Sequence, residues 1–320
     1  MKTIQLKVTK IKYRGDSVGD DVEIKVNCLN SNLDVKKKIK NKSEVKIDAV
    51  VGQFVTDQAL FSLPVNVKII ERDLVFNDVG SKDIELKVDM KTSASQFSTY
   101  EILVKEKRGL SSGGRIGTFE VTLEASILDF VKYIPDDDSG DGWLKARFED
   151  NGSVESLPAF LKVKTERIDN KREYITPLEG PYSGRLASIS LLNNQSRLIS
   201  GVTHAPMGYA KYSISKKTFI LNGKEYQTAD YPGSPWKKGL YDIEIPDYPH
   251  TGGRYYLKQS KRAMTWFRIG HSGDRYLHTG GRSLGCITII DIAHWMNIYN
   301  ELIKARKEDS LSVGVLEVID

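Results

Sequence analysis

The stretch TIQLKVTKIKY, residues 3–13, alternates apolar with polar side chains, and this alternation decides the fold class. A period of two residues is typical of a β-strand with one buried face, whereas a helix repeats its apolar residues three and four apart. Six further stretches up to residue 125 repeat the pattern between polar turns. They are DVEIKVNCL (21–29), SEVKIDAVV (43–51), LPVNVKIIE (63–71), DIELKVDM (83–90), YEILVKE (100–106) and RIGTFEVTLEA (115–125). Residues 1–126 are therefore predicted to form an antiparallel β-sandwich, with Cys28 as a buried core thiol.

Acidic turns separate these strands. RGDSVGDD (14–21) and FNDVGSKD (76–83) contain Asp16, Asp20, Asp21 and Asp78. The strand pattern and the acidic loops resemble those of C2-type domains, and the resemblance implies docking on a membrane or on a protein partner. The aspartates suit calcium binding, or they stabilise turns by bonding their own backbone. Turn chemistry is the favoured interpretation.

The chain beyond residue 126 is predicted to hold a connecting region, 127–180, and a second domain, 181–320. WLKARFEDNG (143–152) and AFLKVKTERI (159–168) read as strands of the connection, and the Pro- and Gly-containing ITPLEGPYSG (175–184) marks its end. The second domain is also predicted to be rich in strands. These are RLASISLLNNQSRLIS (185–200), AKYSISKKTFILNGKEYQ (210–227), GLYDIEIPDY (239–248), RYYLKQ (254–259), TWFRIGHSGDRYLHT (265–279) and SVGVLEVI (312–319).

One amphipathic helix is predicted, from about Asp291 to Lys307, with Asp291 capping its first N–H groups. Its apolar face is expected to contain Ile292, Trp295, Met296, Tyr299 and Leu302. The predicted fold class is mainly β: a C2-like sandwich followed by a second β domain with this single helix.

Charge and composition exclude several classes of protein. The net charge is +5, and residues 181–320 hold 18 Lys and Arg against 12 Asp and Glu, which favours an anionic substrate there. No recognition-helix signature or aromatic platform is present, so no nucleic-acid partner is expected. Two cysteines exclude a disulfide framework and a four-ligand zinc site. No run of about 18 apolar residues is present, and the first residues lack the apolar core of a secretory signal, so synthesis in the cytoplasm without a Sec signal is expected.

The densest group of reactive residue types is FRIGHSGDRYLHTGGRSLGCITI, residues 267–289. It contains His271, His278 and Cys286. A thiol becomes a nucleophile when a base or a positive charge favours its thiolate, and histidine is the usual base. The glycines around Cys286 let a substrate carbonyl approach and let backbone N–H groups face an oxyanion. The alternative is that Cys286 is a small core hydrophobe.

The segment Ser283-Leu284-Gly285-Cys286, with histidine upstream, resembles the signature of the YkuD-type L,D-transpeptidases. GSPWKKGLYDIEI (233–245) resembles the family's TPxGxYxI segment, and ISLLNNQSRLIS (189–200) resembles its opening strand pair. The resemblance covers about residues 183–320. It implies Cys286 as the nucleophile, with the backbone of Ser283, Leu284 and Gly285 around the oxyanion. The similar proteins include the L,D-transpeptidase-like effectors of type VI secretion systems.

The chain departs from the family at two positions: Leu284 replaces a histidine, and Thr288 replaces an arginine that helps to hold the substrate. Arg275 or Arg282 is a candidate replacement, since a guanidinium can bind a peptide carboxylate, and Gly280 and Gly281 are the other candidate substrate-binding residues. The base is either His278, eight residues before Cys286, or His271, fifteen residues before it; His278 is favoured. His204, His250 and His294 lie outside this group, and His294 is predicted to be structural.

The resemblance implies a peptidoglycan-modifying acyl transfer through a thioester with a stem peptide, needing no metal and no cofactor. It ends in crosslinking, D-amino-acid exchange or L,D-carboxypeptidase cleavage. The expected site of action is the cell envelope or periplasm after specialised secretion, and the effector hypothesis adds an immunity protein and a docking partner for the sandwich. Two alternatives stay open: a docking protein with a non-catalytic wall-binding domain, and a cysteine hydrolase of another amide.

Overall fold

The chain is mainly β, with strands over 56% of its length and helix over 6%, so the predicted fold class is confirmed. The structure is a computed structural model that describes residues 1–73, 77–92, 95–106, 114–137 and 140–320. It divides into an N-terminal unit, Met1–Phe130, and a C-terminal unit, Val131–Asp320. The connecting region predicted at 127–180 lies almost wholly within the C-terminal unit.

The N-terminal unit is a sandwich of two four-stranded antiparallel sheets that share one apolar core. Its strands are β1 (Lys2–Gly15), β2 (Asp21–Cys28), β3 (Ser31–Lys38), β4 (Glu44–Thr56), β5 (Leu60–Glu71), β6 (Asp78–Asp89), β7 (Gln96–Lys105) and β8 (Ile116–Asp129). The strand orders are β4-β1-β8-β7 and β3-β2-β5-β6. Cys28 is buried in the core, as predicted, and burial raises the pKa of its thiol to about 11. β3 was not predicted, because this edge strand ends in three exposed lysines and has few apolar positions.

A bulge in β1 keeps its apolar side chains on the core face. The apolar positions change parity between Val8 and Ile11, and the pairing with both β4 and β8 shifts register between Val8 and Lys10. Val8, Ile11 and Tyr13 are all fully buried. One extra residue in a strand turns all later side chains to the opposite face. The bulge therefore returns the apolar side chains after Val8 to the core face.

The C-terminal unit contains a six-stranded sheet, an eight-stranded sheet and a two-stranded parallel pair. Its strands are β9 (Val131–Tyr133), β10 (Trp143–Phe148), β11 (Val154–Pro158), β12 (Lys162–Asp169), β13 (Arg172–Pro177), β14 (Ala187–Ser190), β15 (Ala205–Pro206), β16 (Gly208–Ser213), β17 (Thr218–Leu221), β18 (Lys224–Ala229), β19 (Gly239–Glu244), β20 (Phe267–Arg268), β21 (Tyr276–Thr279), β22 (Ile287–Ile289), β23 (Ala305–Arg306) and β24 (Ser312–Ile319). The orders are β11-β10-β14-β13-β12-β9, β19-β24-β16-β17-β18-β22-β21-β20 and β15-β23. One core runs from Ile134 to Val318, which is why residues 131–180 belong to this unit.

Two local predictions in this unit were wrong, and the helix was predicted at the right place but with wrong bounds and capping. The first three residues of RYYLKQ end a 3-10 helix, Thr251–Tyr256, and the rest form a turn; within the helix Gly253 packs against the backbone of Ala263. Within 189–200, β14 is followed by a tight turn instead of a second strand. The predicted helix is a 3-10 turn, Ile292–His294, followed by α1, Trp295–Leu302, and Asp291 pairs with the His294 ring instead of capping N–H groups.

A buried arginine, Arg262, joins α1 to a distant segment of the C-terminal unit. Arg262 is fully buried, and its guanidinium donates to the Asp136 carboxylate at 2.6 Å and to the carbonyls of Asp137 and Gly140. The backbone carbonyl of Arg262 accepts a hydrogen bond from the Trp295 indole at 2.9 Å. Arg262 therefore ties α1 to the 136–142 segment, of which residues 138 and 139 lie outside the described part of the chain.

Candidate active site

The favoured base lies on one of two neighbouring parallel strands, and the predicted nucleophile immediately precedes the other. β21 pairs with β22 so that His278 is opposite Thr288, and Cys286 immediately precedes β22. Residues 280–286 connect the strands, although parallel neighbours usually need a dozen or more residues. Cys286 lies in the bend that leads into β22, two residues before Thr288. The sheet therefore brings Cys286, Thr288 and His278 into one region.

His278 is a buried, neutral base with a fixed ring. Its Nδ1 lies 2.9 Å from the Thr279 carbonyl, and its Nε2 lies 3.0 Å from the Thr288 hydroxyl. A carbonyl only accepts, so Nδ1 carries the proton and the Nε2 lone pair accepts from Thr288. Burial lowers the pKa of His278 to about 4, against the opposing effect of the Thr279 carbonyl. The imidazole is therefore unprotonated at neutral pH.

Cys286 is a half-buried thiol. Burial raises its pKa, while the Tyr276 backbone N–H and the Arg275 charge oppose that effect. Its Sγ lies 3.9 Å from the Asp274 carbonyl oxygen. Within the described part of the chain, the thiol makes no hydrogen bond with His278. The thiol is therefore protonated at neutral pH and needs a base before it can attack.

The loop before Cys286 is shaped by Ser283. The Ser283 hydroxyl donates to the Cys286 carbonyl at 2.7 Å and accepts from the Gly285 N–H at 3.2 Å. Gly285 has a φ of +119°, which favours glycine, and it packs against Ser234. In this arrangement the Gly285 N–H is occupied by Ser283 and does not point freely at an oxyanion. Leu284, 86% exposed, directs its side chain to solvent.

Arg275 binds the 233–236 segment, which packs near Cys286. Its guanidinium donates to the Ser234 hydroxyl at 2.5 Å and lies 4.7 Å from the Trp236 ring centroid. A cleft of about 280 Å³ borders this segment. Its lining includes Pro235, Trp236, Lys237, Tyr241, Ser272 and Arg275. The predicted substrate arginine thus has a structural partner and also faces a cleft.

The other candidate substrate residues lie at the opposite end of the connecting loop. Gly281 donates its N–H to the Tyr256 hydroxyl at 2.9 Å, and a Cβ at Gly280 would approach the Tyr256 ring to 3.1 Å. Small residues are needed here because the loop rests on Tyr256. Arg282 is exposed, and in the described residues its guanidinium has no charged partner.

His271 is held between two carboxylates. Its Nε2 lies 2.7 Å from Asp242 and its Nδ1 3.0 Å from Glu244, and the hydrogen bond with Asp242 raises the pKa of His271. Both ring nitrogens are engaged as donors when the ring is charged, so neither offers a lone pair to Cys286. Asp242 and His271 also meet Asp309 as a set of candidate metal ligands, but the Lys307 ammonium lies 2.6 Å from Asp242. A cation from the chain itself therefore neutralises this cluster.

A polar and aromatic network behind His278 was missed by the sequence analysis. Trp266 stacks on His278 on one side and on His250 on the other. Asp247 accepts hydrogen bonds from Tyr276 and Arg268, and its other oxygen lies 3.1 Å from His250 Nε2. Burial raises the pKa of Asp247, but hydrogen bonds led by that from His250 hold it below its ordinary value. The Asp-x-x-His spacing at 247–250 is the feature of the sequence that could have indicated this network.

Among the residues that the structure describes, the N-terminal unit carries one cluster of acidic candidate metal ligands. Glu71, Asp73 and Asp78 each place an oxygen within 4.8 Å of the other two. Glu71 is 2% exposed, and its Oε2 has no hydrogen-bond partner in the described residues. Burial, together with the charges of Asp73 and Asp78, raises the pKa of Glu71 to about 7. Of the predicted calcium candidates, Asp78 belongs to this cluster, whereas the Asp16 carboxylate accepts from the Ile116 N–H.

Comparison with known proteins assigns no family. No family profile and no curated protein matches the chain. Two solved structures of human GIVD cytosolic phospholipase A2, one with methyl gamma-linolenyl fluorophosphonate inhibitor and terbium chloride, match at 9% and 8% identity with TM-scores of 0.23 and 0.24. Each match covers 81% of this chain and about a third, 36% or 33%, of the phospholipase chain. A likeness this low carries no argument. Among the described residues, no helix is long and apolar enough to cross a bilayer.

Proposed function

We propose that the C-terminal unit is a cysteine acyltransferase of the L,D-transpeptidase or L,D-carboxypeptidase type, acting on peptidoglycan stem peptides. The observation that carries the proposal is the orientation of His278. The Thr279 carbonyl holds Nδ1–H, which directs the Nε2 lone pair toward the strand that Cys286 precedes. The substrate class rests on the resemblance of the Ser283–Cys286 segment to the YkuD-type signature.

The proposed reaction is an acyl transfer in two steps. The Cys286 sulfur forms a bond to the carbonyl carbon of a diamino acid in the stem peptide, and its proton is taken up by His278. The C–N bond to the terminal D-amino acid then breaks, and the proton passes to the leaving amine. An amine next attacks the thioester to give a crosslink or an exchanged D-residue, or water attacks it to give a shortened peptide.

The cleft that Arg275 lines offers positive charge to a peptide carboxylate. Lys237 and Arg275 both line it, and Trp236 and Tyr241 supply its apolar surface. A guanidinium can bind a carboxylate through two hydrogen bonds, but Arg275 already uses part of its donor set on Ser234. Lys237 is therefore the freer of the two cations for the substrate.

Mass spectrometry of purified muropeptides, incubated with wild type and with Cys286→Ala, tests the proposal. Loss or exchange of a terminal D-residue, or a new crosslink, is expected only where Cys286 is present. Cys28→Ala is the matched control, because the other cysteine is buried in the N-terminal core. Unchanged muropeptides with a reactive Cys286 would indicate a hydrolase of another amide. Unchanged muropeptides with an inert thiol would leave a binding protein.

The cellular role that we propose is that of a secreted antibacterial effector acting in the envelope. Its support is the resemblance to type VI effectors, with the N-terminal sandwich as the docking module and an immunity protein as the partner in the producing cell. Expression directed to the periplasm of a test bacterium should arrest growth in wild type and not in Cys286→Ala. Equal growth of both strains, at equal protein levels, would contradict this role.

A second function, cation-dependent docking, is proposed for the N-terminal unit. The specific observation is the unpartnered Oε2 of the buried Glu71, which faces Asp73 and Asp78. Carboxylate oxygens in such a set are ligands that calcium prefers. A cleft of about 330 Å³ is lined by the adjoining Arg72, by Lys36, Lys37 and Lys38, and by Asp21, and its basic excess suits an anionic headgroup. Arg72 already pairs with Glu23 and Lys38 with Asp21, so Lys36 and Lys37 are the cations proposed to bind it. Calcium should therefore promote binding to an anionic membrane.

Calorimetric titration with calcium, followed by sedimentation with phosphatidylcholine vesicles with and without phosphatidylserine, tests this second function. Wild type should bind calcium and should sediment only with calcium and phosphatidylserine together. Glu71→Gln should lose both responses. Asp48→Asn is the matched control, since Asp48 is an acidic residue of the same unit outside the cluster. Calcium binding that is equal in the Glu71 variant would reject the site.

A further inference from the structure

Asp247 is a buried carboxylate that accepts four hydrogen bonds. One of its oxygens lies 2.9 Å from the backbone nitrogen of Tyr248 and 3.1 Å from His250 Nε2. The other oxygen lies 3.1 Å from an Arg268 guanidinium nitrogen and 3.1 Å from the Tyr276 hydroxyl. A carboxylate only accepts, so all four groups donate to it. Two of these donors, Tyr276 and His250, connect Asp247 to the predicted reacting groups.

The first connection runs through Tyr276 to Cys286. Tyr276 begins β21, and its ring is buried. Leu277 pairs with Ile287, so Tyr276 and Cys286 each immediately precede a paired residue of the two strands. Burial raises the pKa of the Cys286 thiol, and the Tyr276 backbone N–H opposes that effect by favouring the thiolate. Asp247 fixes the hydroxyl of this tyrosine and thereby the start of the strand that presents its N–H.

The second connection runs through stacked rings to His278. Trp266 stacks on His250 with centroids 4.4 Å apart and on His278 with centroids 4.0 Å apart. The ring of Tyr276 packs edge-on against His250, with centroids 4.5 Å apart. The hydrogen bond to Asp247 fixes the rotation of the His250 ring, because stacking alone lets a ring turn in its own plane. Trp266 therefore rests on an oriented ring where it covers His278.

We propose that Asp247 is a positioning residue of the active site, which holds the Tyr276 N–H at the thiol and the Trp266 ring against the imidazole. In the described part of the chain, Asp247 makes no hydrogen bond with Cys286 or His278, so it acts on both through its partners. This inference rests on the proposed function, because it takes Cys286 and His278 as the reacting groups. It gives a role to a buried carboxylate that the acyl transfer itself does not use.

Three variants of the full-length protein separate the two connections. Asp247→Asn keeps only one accepting oxygen, so no orientation of the amide serves all four donors. Tyr276→Phe removes the hydroxyl that Asp247 binds and keeps the ring. His250→Phe removes the other hydrogen bond and keeps a ring beside Trp266. Tyr226→Phe is the matched control, because Tyr226 is a buried tyrosine of the same unit whose hydroxyl has no hydrogen-bond partner in the described residues.

Two measurements follow the thiol and the base separately. The rate of alkylation by iodoacetamide, measured against pH, gives the pKa of Cys286, because the thiolate attacks the carbon and iodide leaves. Peptide mapping by mass spectrometry distinguishes Cys286 from Cys28. An NMR titration gives the pKa of His278, whose resonances are assigned by their absence in His278→Gln.

Each connection should affect its own reacting group. Tyr276→Phe should raise the pKa of Cys286 and slow its alkylation at pH 7 at least about threefold, because less thiolate is present. His250→Phe should raise the pKa of His278 from about 4 toward its ordinary value, because water reaches the less tightly covered ring. Asp247→Asn should shift both pKa values, and Tyr226→Phe should shift neither.

Two results would overturn the positioning role. Wild-type pKa values for both groups in folded Asp247→Asn would show that the carboxylate does not act on them. Equal shifts in Tyr226→Phe would show that any lost hydroxyl loosens the unit. If Asp247→Asn does not fold, as judged by tryptophan fluorescence, wild-type values in both Tyr276→Phe and His250→Phe overturn the role instead.

The outcome is distinguishable from that of the proposed function. If the pKa values shift as expected but wild type alters no muropeptide, the positioning role stands and the proposed substrate class fails. If wild type alters muropeptides but the variants of Asp247, Tyr276 and His250 keep wild-type pKa values, the proposed function stands and the positioning role fails.

Discussion

The indole of Trp266 stacks on the imidazole of His278, with ring centroids 4.0 Å apart and planes inclined by 16°. This contact covers the face of the base and contributes to the burial that lowers its pKa. The Thr279 carbonyl and the Thr288 hydroxyl fix the ring at its two nitrogens. Trp266 therefore fixes the plane of the imidazole and the hydrogen bonds fix its rotation.

Replacing Trp266 should change the basicity of His278. In Trp266→Leu, water reaches the imidazole, so the pKa of His278 should rise from about 4 toward its ordinary value. Trp266→Phe keeps a ring in place and should leave the pKa nearly unchanged. An NMR titration of the imidazole resonances, assigned by their absence in His278→Gln, measures both. A pKa in Trp266→Leu that stays at the wild-type value would show that other groups exclude water.

His278 should also make the stability of the C-terminal unit depend on pH. Its pKa is about 4 when folded and near 6.5 when exposed, so as the pH falls the unfolded chain takes up the proton first. The free energy of unfolding should therefore decrease between about pH 6.5 and 4, by roughly 3 kcal/mol for the full shift. His278→Gln should lose less stability over this window. All four tryptophans lie in this unit, so their fluorescence during urea unfolding reports it selectively; parallel slopes in both proteins would contradict the prediction.

Gly285→Ala should change the reactivity of the Cys286 thiol more than the stability of the fold. A φ of +119° strains alanine, so the substitution should cost about 1–3 kcal/mol of unfolding free energy and should displace Cys286. Gly184→Ala is the control, because Gly184 also has a positive φ and its Cβ would contact nothing. Both variants should melt at lower temperature than wild type, but only Gly285→Ala should change the alkylation rate of Cys286. Equal alkylation rates would mean that the loop tolerates a side chain.

Arg262→Met should destabilise the C-terminal unit by about 3 kcal/mol, because it leaves the partners of a buried guanidinium unpaired. Those partners include Asp136 and the Gly140 carbonyl. Arg185→Met is the matched control: Arg185 also pairs with an aspartate, Asp150, but at the surface, so its loss should destabilise the unit much less. Urea unfolding measures both. Similar losses in the two variants would show that burial of Arg262 adds little.

Glu71 should oppose folding of the N-terminal unit at alkaline pH in the absence of a cation. Its pKa is about 7 when folded and near 4.5 when unfolded, so the folded carboxyl holds its proton longer, and stability should fall as the pH rises from 4.5 through 7. Glu71→Gln should therefore raise the calorimetric melting temperature of this unit at pH 8. At pH 4.5 the two proteins should differ little. A variant that is less stable than wild type at pH 8 would contradict the proposed like-charge repulsion.

The sequence was sufficient for the class of fold, whereas the site around Cys286 stays a prediction. Alternation such as that of residues 3–13 reports directly which side chains a sheet buries, and the glycines around Cys286 report a tight loop. β3 was missed because an edge strand with lysines at its end shows little alternation. RYYLKQ was mistaken for a strand because its sequence does not report the contact that sets its conformation. In that contact Gly253 packs against the backbone of Ala263.

The sequence did not predict the hydrogen-bond and stacking partners of the site residues. Whether His271 or His278 faces the β22 strand depends on a strand register that sequence spacing does not report. Thr288 was noted only as a departure from a family pattern, and its hydrogen bond to His278 follows from the parallel pairing of β21 with β22. His250 reaches the site by stacking on Trp266, sixteen residues away in the sequence, and Asp247 by its hydrogen bonds with His250 and Tyr276.

The short connection between β21 and β22 makes the site intolerant of insertions and deletions. Removing one residue from 280–285 would slip β22 by one position against its neighbours and turn its alternate side chains to the other face of the sheet. The thiol and the threonine would then lie on the opposite side from the imidazole, although every side chain of the site would still be present. A variant library should accordingly accept many substitutions in this connection while rejecting nearly every change in its length.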